Sequence, residues 1–235
     1  MLTSTQVIET FVQLITSVRH WGWMMNERYF HHLFSSRLQA QGISSDITNL
    51  NSLLQLHPEW PTCKKKTGLC YAWYRYNDGK YFCKRDGSDG SAGFVDFAIG
   101  DYQKPEIGIE FCIKHSWHNE EVIYDFLKLM DARNPFSVGL SYTAIIREKN
   151  VSRGKDLSRL VVSMNKALTV ARARLEERDY QISGRQLLFV ISELGLDTIR
   201  YWYFDNSITS FKEVKDHFLA NDVKERLTRE VQKIS

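Results

Sequence analysis

Several absences narrow the reading of this chain before any pattern is sought. No stretch is long and apolar enough to suggest a membrane span. The nearest, Val7 to Val18, is interrupted by Glu9 and Gln13. No basic segment precedes it, so the start of the chain does not read as a signal peptide. The four cysteines (Cys63, Cys70, Cys83 and Cys112) contain no CxxC pair. Isolated buried thiols in a reduced, cytoplasmic protein are therefore expected, rather than a zinc site or a disulfide framework. His31 with His32 and His115 with His118 form no HExxH-like arrangement, and helix or turn surface is expected for most of them. There is no phosphate-binding glycine loop, no GxSxG and no kinase signature. A dominant charge is missing too. Lysine and arginine number 31 against 28 acidic residues, for a net charge of +3. So mild a basic excess is compatible with a nucleic-acid partner and does not demand one.

What is present is ordinary globular composition. The 235 residues are 43% hydrophobic and 25% charged, enough for one large domain or a domain with an extension. The informative stretch is Gly93 to Lys114, GFVDFAIGDYQKPEIGIEFCIK. It reads as two strands joined by a turn at Asp101 to Pro105. Val95, Phe97 and Ile99 share one face of the first strand, with Asp96 and Ala98 on the other. Ile107, Ile109, Phe111 and Ile113 share one face of the second, opposite Glu106, Gly108, Glu110, Cys112 and Lys114. Strand side chains alternate with period two, so the pattern buries an aliphatic face and collects carboxylates on the other. Two carboxylates on adjacent strands, with a lysine along the same face, could hold a hard divalent cation and a polarised water.

On the N-terminal side, residues 1–22 read as an amphipathic helix with Val7, Phe11, Leu14, Ile15 and Val18 as its stripe. A second helix is predicted from about Asn26 to Ala40, burying Phe30, Leu33, Phe34 and Leu38. Residues 43–62 look irregular. Leu69 to Tyr76, then Asn77-Asp78-Gly79, then Lys80 to Cys83 is a hairpin pattern. Lys64, Lys65 and Lys66, with Lys84 and Arg85, are solvated cations or phosphate contacts. After Lys114, a helix is expected from about Asn119 to Ala132, and then a strand from Ser141 to Ile146. Residues 156–178 carry apolar positions at helical spacing. Gln186 to Ile191 and Ile199 to Phe204 read as strands, and about Phe211 to Ile234 as a final helix.

An Asp followed about a dozen residues later by Glu-x-Lys on an apolar strand is the motif of the PD-(D/E)XK nuclease superfamily, and Asp96 and Glu110 resemble it. The lysine position is held by Cys112, with Lys114 the nearest lysine on that face. Glu27, in NERYFHHLF, resembles the Glu that the first core helix often supplies. The order of elements is similar as well, over roughly residues 20–148. The resemblance implies an α/β fold with a restriction-endonuclease-like α-β-β-β-α-β core and a mixed central sheet. Residues 1–22 would form an N-terminal helix, 23–150 the core, and 151–235 an extension packed on it. It implies a metal-dependent phosphodiesterase cutting DNA or RNA. Mg²⁺ or Mn²⁺ would be held by Asp96, Glu110 and the carbonyl of Phe111, with Lys114 and Glu27 completing the catalytic set. Lys64, Lys65, Lys66, Lys84, Arg85 and His115 would contact the nucleic acid. The alternative is a catalytically inactive nuclease-fold module that binds nucleic acid or a protein, either a second copy or another chain. A membrane partner is not expected.

Overall fold

The computed structural model describes residues 4–18, 26–42, 55–62, 73–77, 80–84, 94–114, 119–130, 134–146, 162, 186–194, 198–205 and 212–214. Two helices come first. Helix α1 (Ser4–Val18) buries Val7, Phe11, Leu14, Ile15 and Val18, as its spacing predicts. Helix α2 (Glu27–Ala40) is capped by Asn26, whose side-chain oxygen accepts the Tyr29 N–H at 2.9 Å. It buries Phe30, Phe34 and Leu38, with Leu33 only partly covered. The remaining elements are β1 (Gln55–Pro61), β2 (Trp73–Asn77), β3 (Lys80–Lys84), β4 (Phe94–Gly100), β5 (Pro105–Lys114), α3 (Asn119–Met130), β6 (Val138–Ile146), β7 (Gln186–Leu194), β8 (Thr198–Asp205) and β9 (Lys212–Val214).

Seven strands form one mixed sheet in the order β1-β4-β5-β6-β7-β8-β9. The centre, β5-β6-β7, is parallel, and the strands on either side are antiparallel. A parallel neighbour needs a crossover, and α3 lies in the one between β5 and β6. Helices α1 and α2 share one core with Phe97, Ile109, Phe111, Tyr142 and Val190 from one face of the sheet. On the other, Phe126 of α3 packs against Phe189, and Phe189 against Trp202. Among the described residues no helix is long and apolar enough to cross a membrane.

Three expectations are corrected. Residues 55–61, read as irregular, form β1, an outer strand pairing with β4. Pro58 and Pro61 obscured it, because proline is tolerated on an edge strand but reads as a strand breaker in sequence. The β2–β3 hairpin has its expected pairing, yet it forms a separate two-stranded sheet, so β1 rather than the hairpin lies beside the Asp96 strand. Lys212–Val214, placed in a final helix, is a strand paired to β8. The rest of that helix and the one expected over 156–178 lie outside the described residues, apart from the single position Val162.

The second face of β5 also differs from its reading. Gly108, Glu110 and Cys112, on the face read as collecting carboxylates, are buried, and α3 brings Leu129 over Gly108 and Lys128 to Glu110. Gly108 sets how closely that helix sits. A Cβ there would lie 2.8 Å from the Phe136 ring and 3.0 Å from Leu129. Gly108→Ala should destabilise the protein by about 1–3 kcal/mol through overpacking. Chemical denaturation reads this directly, and an unchanged midpoint would mean that α3 shifts without penalty.

Candidate active site

The site lies where β4 and β5 part. Their pairing runs up to Phe97↔Ile109, and Asp96 is the next residue along β4. Beyond that point, two β5 backbone N–H groups are bound by side chains instead of a strand. Asp96 Oδ2 accepts the Phe111 N–H at 2.6 Å, and Glu27 Oε2 of α2 accepts the Ile113 N–H at 3.1 Å. Buried backbone donors must find an acceptor, so both carboxylates stitch the opened edge. The Phe111 ring packs against Phe11, Phe30, Phe34 and Phe97, which seats this edge directly on the core.

His31, one turn after Glu27, reaches the same place. Its Nε2 lies 3.3 Å from Asp96 Oδ2. Burial opposes its charge, but the contact with Asp96, helped by Glu27 and Glu59, raises its pKa above the usual imidazole value. The expectation of a helix-surface role is thus corrected for His31. Glu59 of β1 falls between the Pro58↔Phe97 and Trp60↔Val95 pairs, hence opposite Asp96, and has a left-handed φ of 51°. A strand residue in that region carries strain.

Glu110 is 2% exposed and faces α3. Lys128, from the last turn of α3, places its Nζ 2.6 Å from Glu110 Oε1, 2.9 Å from the Phe94 carbonyl oxygen and 3.1 Å from Asp125 Oδ1. The Glu110 contact is an ion pair approached off the line of a directed hydrogen bond. Burial pushes the Glu110 pKa well up, and Lys128 pulls against it while Asp125 and Asp96 add to it. Asp125 is likewise raised, to about 6, by burial against the same opposing pull of Lys128. Glu110 therefore sits in a covered, charge-paired setting rather than an open cleft.

Of the residues singled out from sequence, Asp96, Glu27 and Phe111 meet along the opened edge of β5, whereas the Glu110 side chain turns toward Lys128 of α3. The side chains of Lys114 and Lys84 lie outside the described residues, as do Lys64, Lys65, Lys66, Arg85 and His115 entirely. Lys128, Asp125, His31 and Glu59 were missed. One signal was available. Val122, Asp125, Phe126 and Leu129 fall at i, i+3, i+4, i+7, so Asp125 interrupts the apolar stripe of α3.

A divalent cation can be tested against these groups. Asp96 and Glu110 are hard oxygen donors, and the buried Glu110 Oε1 has no directed hydrogen bond. Among the described residues no group of three or more His, Cys, Asp or Glu is arranged around one point. Mg²⁺ commonly takes only one or two carboxylates, so Asp96 and Glu110 offer the right donor type. Asp96, however, is engaged by the Phe111 N–H and His31 while Glu110 is covered and paired with Lys128, and they form no ready-made cage. Comparison with known proteins returns no match to this chain among family models, curated proteins or solved structures.

Proposed function

We propose that this chain is a metal-dependent phosphodiesterase, a nuclease acting on DNA or RNA, with a PD-(D/E)XK-like site on a restriction-endonuclease-like sheet. The reading is carried by one observation. The Lys128 ammonium, 2.6 Å from Glu110, lies on the β5 face where the motif lysine is replaced by Cys112. A residue from α3 would thus supply the amine that the strand lacks.

Asp96, Glu110 and the Phe111 carbonyl would hold Mg²⁺ or Mn²⁺, which supplies a bound water of lowered pKa and offsets charge on the phosphate. Once a cation drew on Glu110, Lys128 would have one N–H to turn toward the attacking water or a phosphate oxygen, its other two staying on the Phe94 carbonyl and Asp125. Asp96 is held by the Phe111 N–H and by His31. Glu27 fixes the end of β5 through the Ile113 N–H. Phe94 is 39% exposed and its carbonyl accepts from Lys128, so its side chain would offer a base a stacking surface.

The test is cleavage of labelled DNA and RNA, single- and double-stranded, with Mg²⁺ or Mn²⁺ and with EDTA. We expect metal-dependent cutting that Asp96→Asn and Glu110→Gln both remove. Binding without cutting in either metal would replace this reading with the inactive nuclease-fold module. Neither binding nor cutting would discard both.

A further inference from the structure

We propose that Asp125 is a positioning residue that anchors the Lys128 ammonium beside Glu110, together with the backbone carbonyl of Phe94. The proposal deepens the phosphodiesterase reading above and rests on it for its catalytic meaning.

The geometry is that of a three-point cradle. An ammonium has three N–H donors, and Lys128 Nζ has three oxygens around it: Glu110 Oε1 at 2.6 Å, the Phe94 carbonyl at 2.9 Å and Asp125 Oδ1 at 3.1 Å. Only the first of these belongs to the residues expected to hold a cation. When a cation draws on Glu110, the other two oxygens still hold the amine. Such contacts narrow the positions open to a lysine on its flexible four-carbon stem.

The backbone end of Lys128 is fixed as well. Its carbonyl accepts the Asn134 side-chain N–H at 2.6 Å, which ties off the last turn of α3. Asp125 lies one turn earlier on that helix, with its side chain 15% exposed. A carboxylate at a stripe position between Val122 and Leu129 is costly unless something pairs with it. Lys128 is the group that pairs with it. Asp125 therefore serves the amine, and through it the reaction, without itself touching the cation.

The experiment compares wild type, Asp125→Asn, Asp125→Glu and Lys128→Met, each checked for native circular dichroism. Three quantities are read: Mn²⁺ affinity by calorimetry, kcat and KM on labelled oligonucleotides, and the acylation rate of Lys128 by a small water-soluble ester. Asp125→Asn should leave Mn²⁺ affinity and KM unchanged and lower kcat roughly tenfold to a hundredfold, as expected for a misplaced catalytic group. Acylation of Lys128 should become several-fold faster, and Asp125→Glu should bring both kcat and acylation part of the way back to wild type. Unchanged kcat with unchanged acylation overturns the proposal. A marked fall in Mn²⁺ affinity overturns it too, because Asp125 would then be a cation ligand. If the wild type cuts nothing, the phosphodiesterase reading falls, and acylation still decides whether Asp125 anchors the amine.

Discussion

Lys128→Met is expected to cost about 3–5 kcal/mol of stability, the usual consequence of removing one partner from a buried ion pair. The reason is what it leaves behind. Glu110 is 2% exposed and Lys128 only 5%, so losing the ammonium leaves the carboxylate buried without its counter-charge. Asp125 loses the same counter-charge. Burial raises the pKa of both carboxylates, Asp125 adds to the rise of Glu110, and Lys128 works against both. Truncation should therefore drive at least one of them to take up a proton. Adding Glu110→Gln to Lys128→Met should recover a large part of the loss, because a neutral amide replaces the orphaned charge. The cycle of single and double mutants isolates that coupling. Urea denaturation of all four proteins at neutral pH measures it. Additive costs would mean that the 2.6 Å contact contributes no net coupling.

How much of this was legible beforehand follows from which signals are local. The alternation of β4 and β5 is local and strong, so both strands and the faces of Phe97, Ile109 and Phe111 were readable. So were the α1 and α2 stripes, since each depends only on spacing within one helix. The edge strand β1 was hidden by its prolines, whose meaning depends on whether the strand is central or outer. The covering of Glu110 was hidden for a related reason. A period-two pattern reports that two faces differ, but not that a helix returning from further along the chain will lie on the second. Lys128 stands 18 residues after Glu110 and on another element. No motif spacing along β5 can reveal it. His31 was similarly obscured, because a histidine one turn into a helix looks the same whether it faces water or Asp96.

Which lysine supplies the amine gives the second large effect, and it separates a strand donor from a helix donor. We expect Lys128→Met to reduce cleavage by roughly 10²–10³-fold, the range seen when a single donor to a developing negative charge is lost. Lys114→Ala should leave cleavage near the wild-type rate. The argument is positional. Lys128 already places its ammonium against Glu110, whereas Lys114 begins two residues beyond Cys112 on the same face of β5. Cys112 is buried and by strand alternation shares the Glu110 face, so a lysine at 112 would lie on the face that the Lys128 ammonium approaches. Cys112→Lys alone should overpack that face and add a second cation, costing about 1–3 kcal/mol. Combined with Lys128→Met, it should instead restore part of the lost activity, since the new amine replaces the missing one. Cys112→Ala is the control and should largely spare activity. Single-turnover cleavage assays at saturating Mg²⁺ separate the cases, with circular dichroism confirming that each variant is folded. Activity lost in Lys114→Ala and kept in Lys128→Met would return the amine to β5 and leave Lys128 as a structural counter-ion. Activity kept in both single variants would mean that neither amine takes part in the reaction.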